Sequence, residues 1–250
     1  MAGHSHSANV KHRKNAVDAK RGKLFSKLAR AVISAARQGG GDVEANTKLK
    51  LAVDKAKAAN MSKDSIERAI KRGTGEGADA SAFEELLYEG YAAGGVAVLV
   101  SCLTDNRNRT TPEIKYIFDR NEGNLGAPGS VAFLFDLRAL FVAPRAGRDE
   151  DELMEIALEA GADDVELDQE YVTILAGATE LESVKLALEA AGLQLESAET
   201  GYVPQSTVRI EDEAVARRVL RLLEALEDND DVQNVYANYD MPEQWLVQRG

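Results

Sequence analysis

Cysteine is almost absent from this 250-residue chain, in which Cys102 stands alone. A single cysteine cannot form an internal disulfide, which agrees with a reducing compartment. Long apolar runs are missing too, since the longest, residues 94–103, is about half of what a membrane-spanning helix requires. Charged residues also occupy the N-terminus, where a signal peptide needs an apolar core. These absences predict a cytoplasmic protein without a membrane partner.

The residue patterns of known catalytic and metal sites are also absent. The three histidines, His4, His6 and His12, all lie near the N-terminus, so the rest of the chain has no histidine for acid–base chemistry. His4 and His6 have no cysteine partner for a metal site. Neither a Walker loop nor a G-x-G-x-x-G motif occurs. We therefore expect no enzyme activity, cofactor or metal, and keep an enzyme and a protein-binding scaffold as alternatives.

Two further features have a structural interpretation. Cys102 lies within an apolar strand pattern, which favours a buried, inert thiol over a nucleophile. Asp228, Asp230 and Asp231 lack the glycine and the distal glutamate of a calcium-binding loop, so we interpret them as surface loop acids.

What the chain does have is charge, and the two signs are separated. Residues 1–72 contain 17 lysines and arginines against 6 acids, a net charge of +11, whereas residues 73–250 contain 13 against 36, a net charge of −23. A cationic segment attracts polyanions and releases their counterions, while an acidic body repels them. The separation predicts nucleic acid as the partner, bound at the N-terminal end.

The basic segment is predicted to contain three helices. Apolar residues recur at helical spacing over residues 24–36, with cations between them. The glycine run 39–41 ends this helix, and Asp42 or Asn46 caps the next one. Ser62 predicts the N-cap of a third helix. These three helices would form a small all-α domain.

Beyond residue 78 the apolar pattern changes between strands and helices. Helices do not alternate with single strands throughout, which disfavours a doubly wound parallel sheet. The predicted class is α+β, with an N-terminal helical domain followed by two ferredoxin-like α/β domains, one inserted in the other. Strands are predicted at 96–100, 131–137, 140–143, 165–167, 171–175, 194–198, 205–210 and 232–237, and helices at 149–160, 180–191, 212–226 and from the turn around Pro112 to Gly123.

The number of strands predicts how the domains are divided. Residues 78–130 offer too few strands for a sheet, and residues 205–240 supply the missing strands and a helix. The predicted segments are a basic helical domain at 1–77 that ends in a glycine-rich flexible linker at 73–78, an α/β domain at 78–130 plus 205–240, an inserted α/β domain at 131–204, and a tail at 241–250.

Candidate nucleic-acid contacts occur in two places. The N-terminal arm and first helix supply many donors to phosphate oxygens, and the loop 104–110 presents two arginines at a helix N-terminus. Alternatively, the helix face is only solvated, and the two arginines pair with nearby acids. Phe25 is the one aromatic residue before residue 73, so the arm favours backbone contact over base stacking. The candidate residues are His4, Ser5, Lys11, His12, Arg13, Lys14, Lys20, Arg21, Lys23, Lys27, Arg107 and Arg109.

Short motifs along nearly the whole chain match one known family, in the same order. They are MAGHS at 1–5, ANVKHRK at 8–14, DAKRGK at 18–23, YEGY at 88–91, GGVA at 94–97, TDNRNRT at 104–110, GNLG at 123–126 and NVYAN at 234–238. On these residues the chain resembles the YebC/PmpR family, which includes the mitochondrial translational activator of cytochrome c oxidase subunit one. The resemblance implies a helical N-terminal domain and two α/β domains, one interrupted by the other. It also implies a regulator of gene expression, since members are described as DNA-binding transcriptional regulators or as ribosome-associated factors.

Two positions depart from the family pattern. His6-Ser7 replaces the usual Lys-Trp, which removes the arm's stacking side chain, and Ala92-Ala93 replaces the usual Gly-Pro. Because the opening motif begins at Met1, we expect no transit peptide and a bacterial cytoplasmic member of the family.

Of the two activities of the family, we expect the ribosomal one. A basic end attached to an acidic body can insert among rRNA and tRNA phosphates while the body stays outside. The sequence contains no evident base-reading motif for duplex DNA. The expected protein is a monomer that binds RNA at the ribosome, and the alternative is a DNA-binding transcriptional regulator.

Overall fold

The computed structural model of the chain describes residues 21–75 and 83–246. Contacts divide these residues into two compact units. The first unit contains the described residues up to 131 together with 212–237, and the second contains 132–211 together with the residues from 238 onward. Within the described residues, no helix is long and apolar enough to cross a membrane.

The elements follow one another as a helical segment and then a mixture of strands and helices. The helices are α1 Arg21–Gly39, α2 Thr47–Ala58, α3 Lys63–Gly73, α4 Arg107–Arg120, α5 Glu150–Glu159, α6 Leu181–Ala190, α7 Glu213–Glu227 and α8 Glu243–Leu246. The strands are β1 Glu84–Tyr91, β2 Ala97–Thr104, β3 Asn124–Leu125, β4 Phe135–Pro144, β5 Asp164–Leu167, β6 Tyr171–Gly177, β7 Ser197–Pro204, β8 Val208–Arg209, β9 Val232–Ala237 and β10 Tyr239–Asp240. The predicted α+β class with an N-terminal helical segment is confirmed.

Helices α1, α2 and α3 form where the sequence places their caps. Ser62 Oγ accepts a hydrogen bond from the amide of Ser65, and Asn46 Oδ1 accepts one from the amide of Leu49. Both are N-cap bonds, which satisfy amides that have no partner inside the helix. The apolar faces of the three helices share one core, whose buried side chains include Val32, Leu49, Val53 and Ile66.

The predicted linker does not begin at its first glycine. Gly73 is the buried last residue of α3, and a Cβ added there would lie 2.6 Å from the carbonyl oxygen of Ile33 and 2.7 Å from Cβ of Ala36. Glycine is therefore required by the close approach of α3 to α1. Residues 76–78 of the predicted linker lie outside the described residues.

The first unit contains a four-stranded antiparallel sheet in the order β3-β1-β2-β9. The central strand β2 is almost entirely buried, and it pairs with β1 through Val98 and Gly90 and with β9 through Val100 and Val235. The β2–β9 pairing joins pieces of chain that lie far apart in the sequence. Helices α4 and α7 cover the sheet with buried side chains, among them Ile114, Phe118, Leu222 and Leu226.

Strand β1 was not predicted, because its sequence contains acids where a buried strand would be apolar. One of these, Glu89, is nevertheless buried. Its carboxylate accepts hydrogen bonds from the amides of Gly129, at 2.5 Å, and Val131, at 2.8 Å. These bonds compensate the loss of water around the charge.

Cys102 lies on β2 and is 1% exposed, which confirms the interpretation of a buried thiol. Burial raises the pKa of Cys102 to about 12, so the reactive thiolate is disfavoured at neutral pH.

The second unit has a four-stranded sheet in the order β5-β6-β4-β7, beside a short parallel pair of β8 and β10. Strand β4 replaces the two strands predicted over 131–137 and 140–143, and a one-turn helix at 132–134 precedes it. The strand predicted at 194–198 starts three residues later, and of the strand predicted at 205–210 only Val208–Arg209 is formed.

The division into four segments stays a prediction. The contacts group the three N-terminal helices with the first sheet, and they place residues 205–211 with the second unit.

Candidate nucleic-acid interface

The described structure contains part of the predicted interface. Lys23 and Lys27 lie on α1, whose first residue is Arg21, and Arg107 and Arg109 lie in the first turn of α4. The other predicted contacts lie outside the described residues; they are His4, Ser5, Lys11, His12, Arg13, Lys14 and Lys20.

One face of α1 carries three cations, because Lys23, Lys27 and Arg30 are spaced by four and three residues. All three donate to backbone carbonyls at or just beyond the C-terminal end of α7. Lys23 Nζ lies 3.2 Å from the carbonyl oxygen of Asp228, Lys27 Nζ 2.5 Å from that of Glu227, and Arg30 Nη1 2.6 Å from that of Asp230. Carbonyls at a helix C-terminus carry partial negative charge and lack partners within the helix. The cationic face of α1 therefore caps α7.

Lys27 is partly buried. Burial lowers the pKa of Lys27 below 10.5, while the negative charges of Glu227, Asp230 and Asp228 act in the opposite direction. Its ammonium group has exchanged water for a protein carbonyl.

Asp231 is the centre of a hydrogen-bond network, which we call the Asp231 hub. Its side chain is 4% exposed. Oδ1 accepts a bond from Arg30 Nη1 at 2.8 Å, and Oδ2 accepts bonds from Arg109 Nη2 and Thr110 Oγ1, both at 2.7 Å, and a longer one from Thr104 Oγ1 at 3.3 Å. The hub joins the ends of α7, β2 and α4 to α1.

The pKa of Asp231 is lowered below 3.8 by this network. Burial acts to raise the pKa, but the hydrogen bonds from Arg109 and Thr110 and the charges of Arg109 and Arg30 outweigh it. The interpretation of Asp231 as a surface loop acid is wrong. Its position directly before an apolar strand was the only sequence signal that it is buried.

The loop 104–110 is built around the same hub. Thr104 Oγ1 accepts a hydrogen bond from the amide of Asn106, and Asn106 Oδ1 caps α4 by accepting one from the amide of Arg109. Arg109 also pairs with Asp105 at 3.2 Å. The two alternatives for the arginines of this loop were contact with phosphate and pairing with nearby acids, and Arg109 pairs with acids. Arg107 is exposed, and its side chain makes no hydrogen bond or ion pair with any described residue.

The hub opens into a polar cleft of about 440 Å³. Its cations, Lys23, Arg30 and Arg109, are the ones already bonded to carbonyls or carboxylates. Its other lining residues are acids and Asn229. This arrangement joins two parts of the first unit and offers no unpaired cation to an anion. Over residues 21–75 and 83–246, no group of three His, Cys, Asp or Glu side chains could hold a metal ion.

Two described places present cations that have no such partner. Lys71 and Arg72 are exposed in the last turn of α3 and make no side-chain hydrogen bond or ion pair with another described residue. The second place is α4, where Lys115 and Arg120 flank the exposed Tyr116. The predictions missed this second group, although the four-residue spacing of Tyr116 and Arg120 places them side by side on a helix.

Two family models together match most of the chain. The model described as TACO1/YebC protein N-terminal domain matches residues 5–76, and the one described as TACO1/YebC second and third domain matches residues 83–239. The chain belongs to the TACO1/YebC family.

Curated relatives cover the full length of the chain. A protein from Rubrobacter xylanophilus is 52% identical over 248 residues, with 99% of each chain covered. One from Aquifex aeolicus is 50% identical over 250 residues, with both chains covered completely. Both are named "Probable transcriptional regulatory protein". The crystal structure of a conserved hypothetical protein from Aquifex aeolicus is similar, with a TM-score of 0.85 and 48% identity, and the match covers 94% of this chain and 95% of that one.

Proposed function

We propose that the protein is a non-enzymatic, nucleic-acid-binding regulator of gene expression that acts at the ribosome. The observation that carries the proposal is the separation of charge, +11 over residues 1–72 and −23 over the remainder. Phosphate groups are attracted to the first segment and repelled by the second, so a nucleic acid contacts one end of the molecule. The name shared by the curated relatives supports a regulatory role.

The described cations differ in whether they already bond to protein oxygens, and this difference separates cations for phosphate contact from cations that hold α1. Lys23, Lys27 and Arg109 already donate to protein oxygens, and a phosphate would have to displace those bonds. Lys71 and Arg72 have no such bonds to break. We assign phosphate contact mainly to the cations of residues 1–20 and to the end of α3, and assign to Lys23 and Lys27 the holding of α1.

Ribosomal RNA and tRNA fit this distribution of charge better than a promoter does. Phosphate contacts position a protein on a nucleic acid without identifying a base. A DNA-binding transcriptional regulator is the second candidate, and the name of the curated relatives favours it.

The test uses a variant with four reversed charges, Lys11→Glu, Arg13→Glu, Lys14→Glu and Lys20→Glu. We expect it to lose co-sedimentation with ribosomes, and the slope of log affinity for RNA against log salt to fall by about 3, because each lost phosphate contact removes roughly 0.7. The control reverses four exposed or partly exposed cations of the acidic body, Lys185, Arg209, Arg217 and Arg221, and so changes the net charge equally. This control should bind the ribosome as the wild type does.

A further experiment distinguishes the ribosomal role from the transcriptional one. Ribosome profiling of a deletion strain should show pauses at particular codon contexts with little change in the mRNA of those genes. Promoter-specific DNA binding that survives physiological salt, with altered transcript synthesis and unaltered pausing, would instead establish the transcriptional role and refute the ribosomal one. Full RNA affinity of the four-charge variant at every salt concentration would refute the N-terminal assignment.

A further inference from the structure

We propose that the outer face of α4, defined by Lys115, Tyr116 and Arg120, is a second nucleic-acid contact, which binds an unpaired nucleotide. The base stacks on the ring of Tyr116, and the neighbouring phosphates pair with Lys115 and Arg120. This inference rests on the proposed function and places a base contact on the acidic part of the chain.

Tyr116 is a largely exposed aromatic residue on the outer face of α4. Its side chain is 58% exposed, whereas the opposite face of α4 buries Thr110, Ile114 and Phe118. Arg120 Nη1 donates to the Tyr116 hydroxyl at 2.7 Å, and the guanidinium carbon lies 5.9 Å from the ring centroid. The ring is thus held in position at the surface while most of it stays in contact with water. A fixed, solvated aromatic ring is the feature on which unpaired bases stack.

The charge around Tyr116 also requires an explanation. Residues 83–246 contain 12 lysines and arginines, and seven of them bond to a carboxylate or a carbonyl oxygen within the protein. Lys185 also interacts with another group of the protein. The four without a carboxylate or carbonyl partner among the described residues are Arg107, Lys115, Arg120 and Arg221. Three of these four lie on α4. Arg120 bonds only to the neutral hydroxyl of Tyr116 among the described residues, so its charge is not neutralised by an acid. In a segment with so large an excess of acid, cations without an acidic partner concentrated on one helix indicate an external anion.

The same face limits the size of the contact. Asp119 is exposed between Lys115 and Arg120, and its carboxylate repels phosphate. A continuous phosphate track along α4 is therefore disfavoured, and the geometry fits one base with a phosphate on either side. A duplex hides the faces of its bases, whereas a single strand, a bulge or a free end exposes them.

The experiment uses the full-length protein and a short oligouridine RNA that contains one central 2-aminopurine, whose fluorescence is quenched by stacking. We expect Tyr116→Leu to weaken binding about tenfold, within the range of roughly 5- to 150-fold that corresponds to the loss of one base–aromatic stack, and to remove the quenching. Tyr116→Phe, which keeps the ring, should retain the quenching. Phe133→Leu is the matched control at another exposed aromatic residue and should behave as the wild type. Lys115→Gln should lower the salt slope by about 0.7.

The possible outcomes separate this inference from the function on which it rests. Salt-sensitive RNA binding with the same affinity and quenching in Tyr116→Leu overturns the α4 contact and leaves the proposed function standing. A wild-type protein that binds neither this RNA nor ribosomes overturns both. The same oligonucleotide as DNA tests whether the contact distinguishes the sugar, and equal dependence on Tyr116 with a fully paired duplex would overturn the assignment to an unpaired base.

Discussion

The buried carboxylate of Asp231 is bonded by side chains of two helices, α1 and α4, that are far apart in the sequence. An isolated charge is costly to bury, so a side chain that is 4% exposed requires charged or polar donors. Arg30 reaches it from α1, and Arg109 and Thr110 reach it from α4. Both guanidinium groups are partly exposed, and water screens their attraction to the carboxylate. Most of the cost of removing Asp231 therefore comes from the hydroxyl and guanidinium groups left without an acceptor.

Replacing this carboxylate by an amide should destabilise the first unit. We expect Asp231→Asn to lower the free energy of unfolding by roughly 2–3 kcal/mol, because an amide nitrogen cannot accept bonds from these donors. Urea denaturation measures the change. Asp230→Asn, the matched control on the exposed neighbour, should alter it by less than about 0.5 kcal/mol. Equal losses in the two variants would contradict the central role of Asp231.

The hub also gives the stability a pH dependence of definite sign. The pKa of Asp231 is lower in the folded protein than its ordinary value of 3.8, so the unfolded chain binds this proton more tightly. The stabilisation is fully present at pH values well above 3.8, begins to weaken as the pH approaches 3.8, and is lost as the pH falls through the lowered pKa. The unfolding free energies of the wild type and of Asp231→Asn should therefore converge as the pH falls below about 4.

At the scale of the helix, Asn46 serves two elements with one side chain. Its Nδ2 donates to the carbonyl oxygens of Ala35, at 2.9 Å, and Gly40, at 2.8 Å, at the end of α1. Its Oδ1 accepts the bond that caps α2. Gly39 packs against it so closely that an added Cβ would lie 2.6 Å from Nδ2. The turn between α1 and α2 is thus specified by Asn46 and the glycines before it.

Asn46→Ala should consequently cost more than the loss of an ordinary cap. We expect a decrease of roughly 2–3 kcal/mol in the free energy of unfolding, because carbonyls of α1 lose their partners together with the amide of α2. Ser62→Ala, which removes the simpler cap of α3, should cost about 1 kcal/mol. Denaturation followed by circular dichroism compares the two variants, and equal losses would show that the bonds to α1 contribute nothing.

The elements that sequence predicted well are those that depend on adjacent residues. Ser62 and Asn46 cap helices a few residues away, so their role is visible in the sequence. Glu89 is buried because amides about 40 residues later bond it, and Asp231 because Arg30, 201 residues earlier, reaches it. The same holds for the candidate interface. The basic segment at residues 1–72 is visible in the sequence, but which of its cations already bond to protein oxygens is decided by contacts with residues far away in the sequence.

At the scale of the whole molecule, the two units should open independently. Leu99 lies in the core of the first unit and Ile174 in that of the second, and both are fully buried. We expect Leu99→Ala to accelerate hydrogen exchange of amides in 84–131 and 212–237, and Ile174→Ala to accelerate it in 132–204, each by lowering stability about 2–5 kcal/mol. Mass spectrometry of peptide fragments measures both patterns. Acceleration throughout the chain in both variants would contradict independent opening.

Residues 205–211 decide the boundary between the units in the same experiment. The predicted division assigns them to the outer domain, whereas their contacts group them with 132–204. Faster exchange of these residues in Leu99→Ala supports the predicted boundary, and faster exchange in Ile174→Ala supports the contact grouping.

Because Cys102 is buried, the rate at which its thiol is modified in the native protein reports how often that part of the first unit opens. The strand that carries it pairs with β1 and with β9, which comes from the late piece of the first unit, and Cys102 is 1% exposed. We therefore expect modification of the sulfur by a thiol reagent to require local opening around β2. Because the chain has one cysteine, no engineered label and no removal of other thiols is required. The ratio of the modification rates in the unfolded and native protein converts directly into the free energy of opening that strand. A ligand that stabilises the first unit should therefore lower the rate of modification of the Cys102 sulfur.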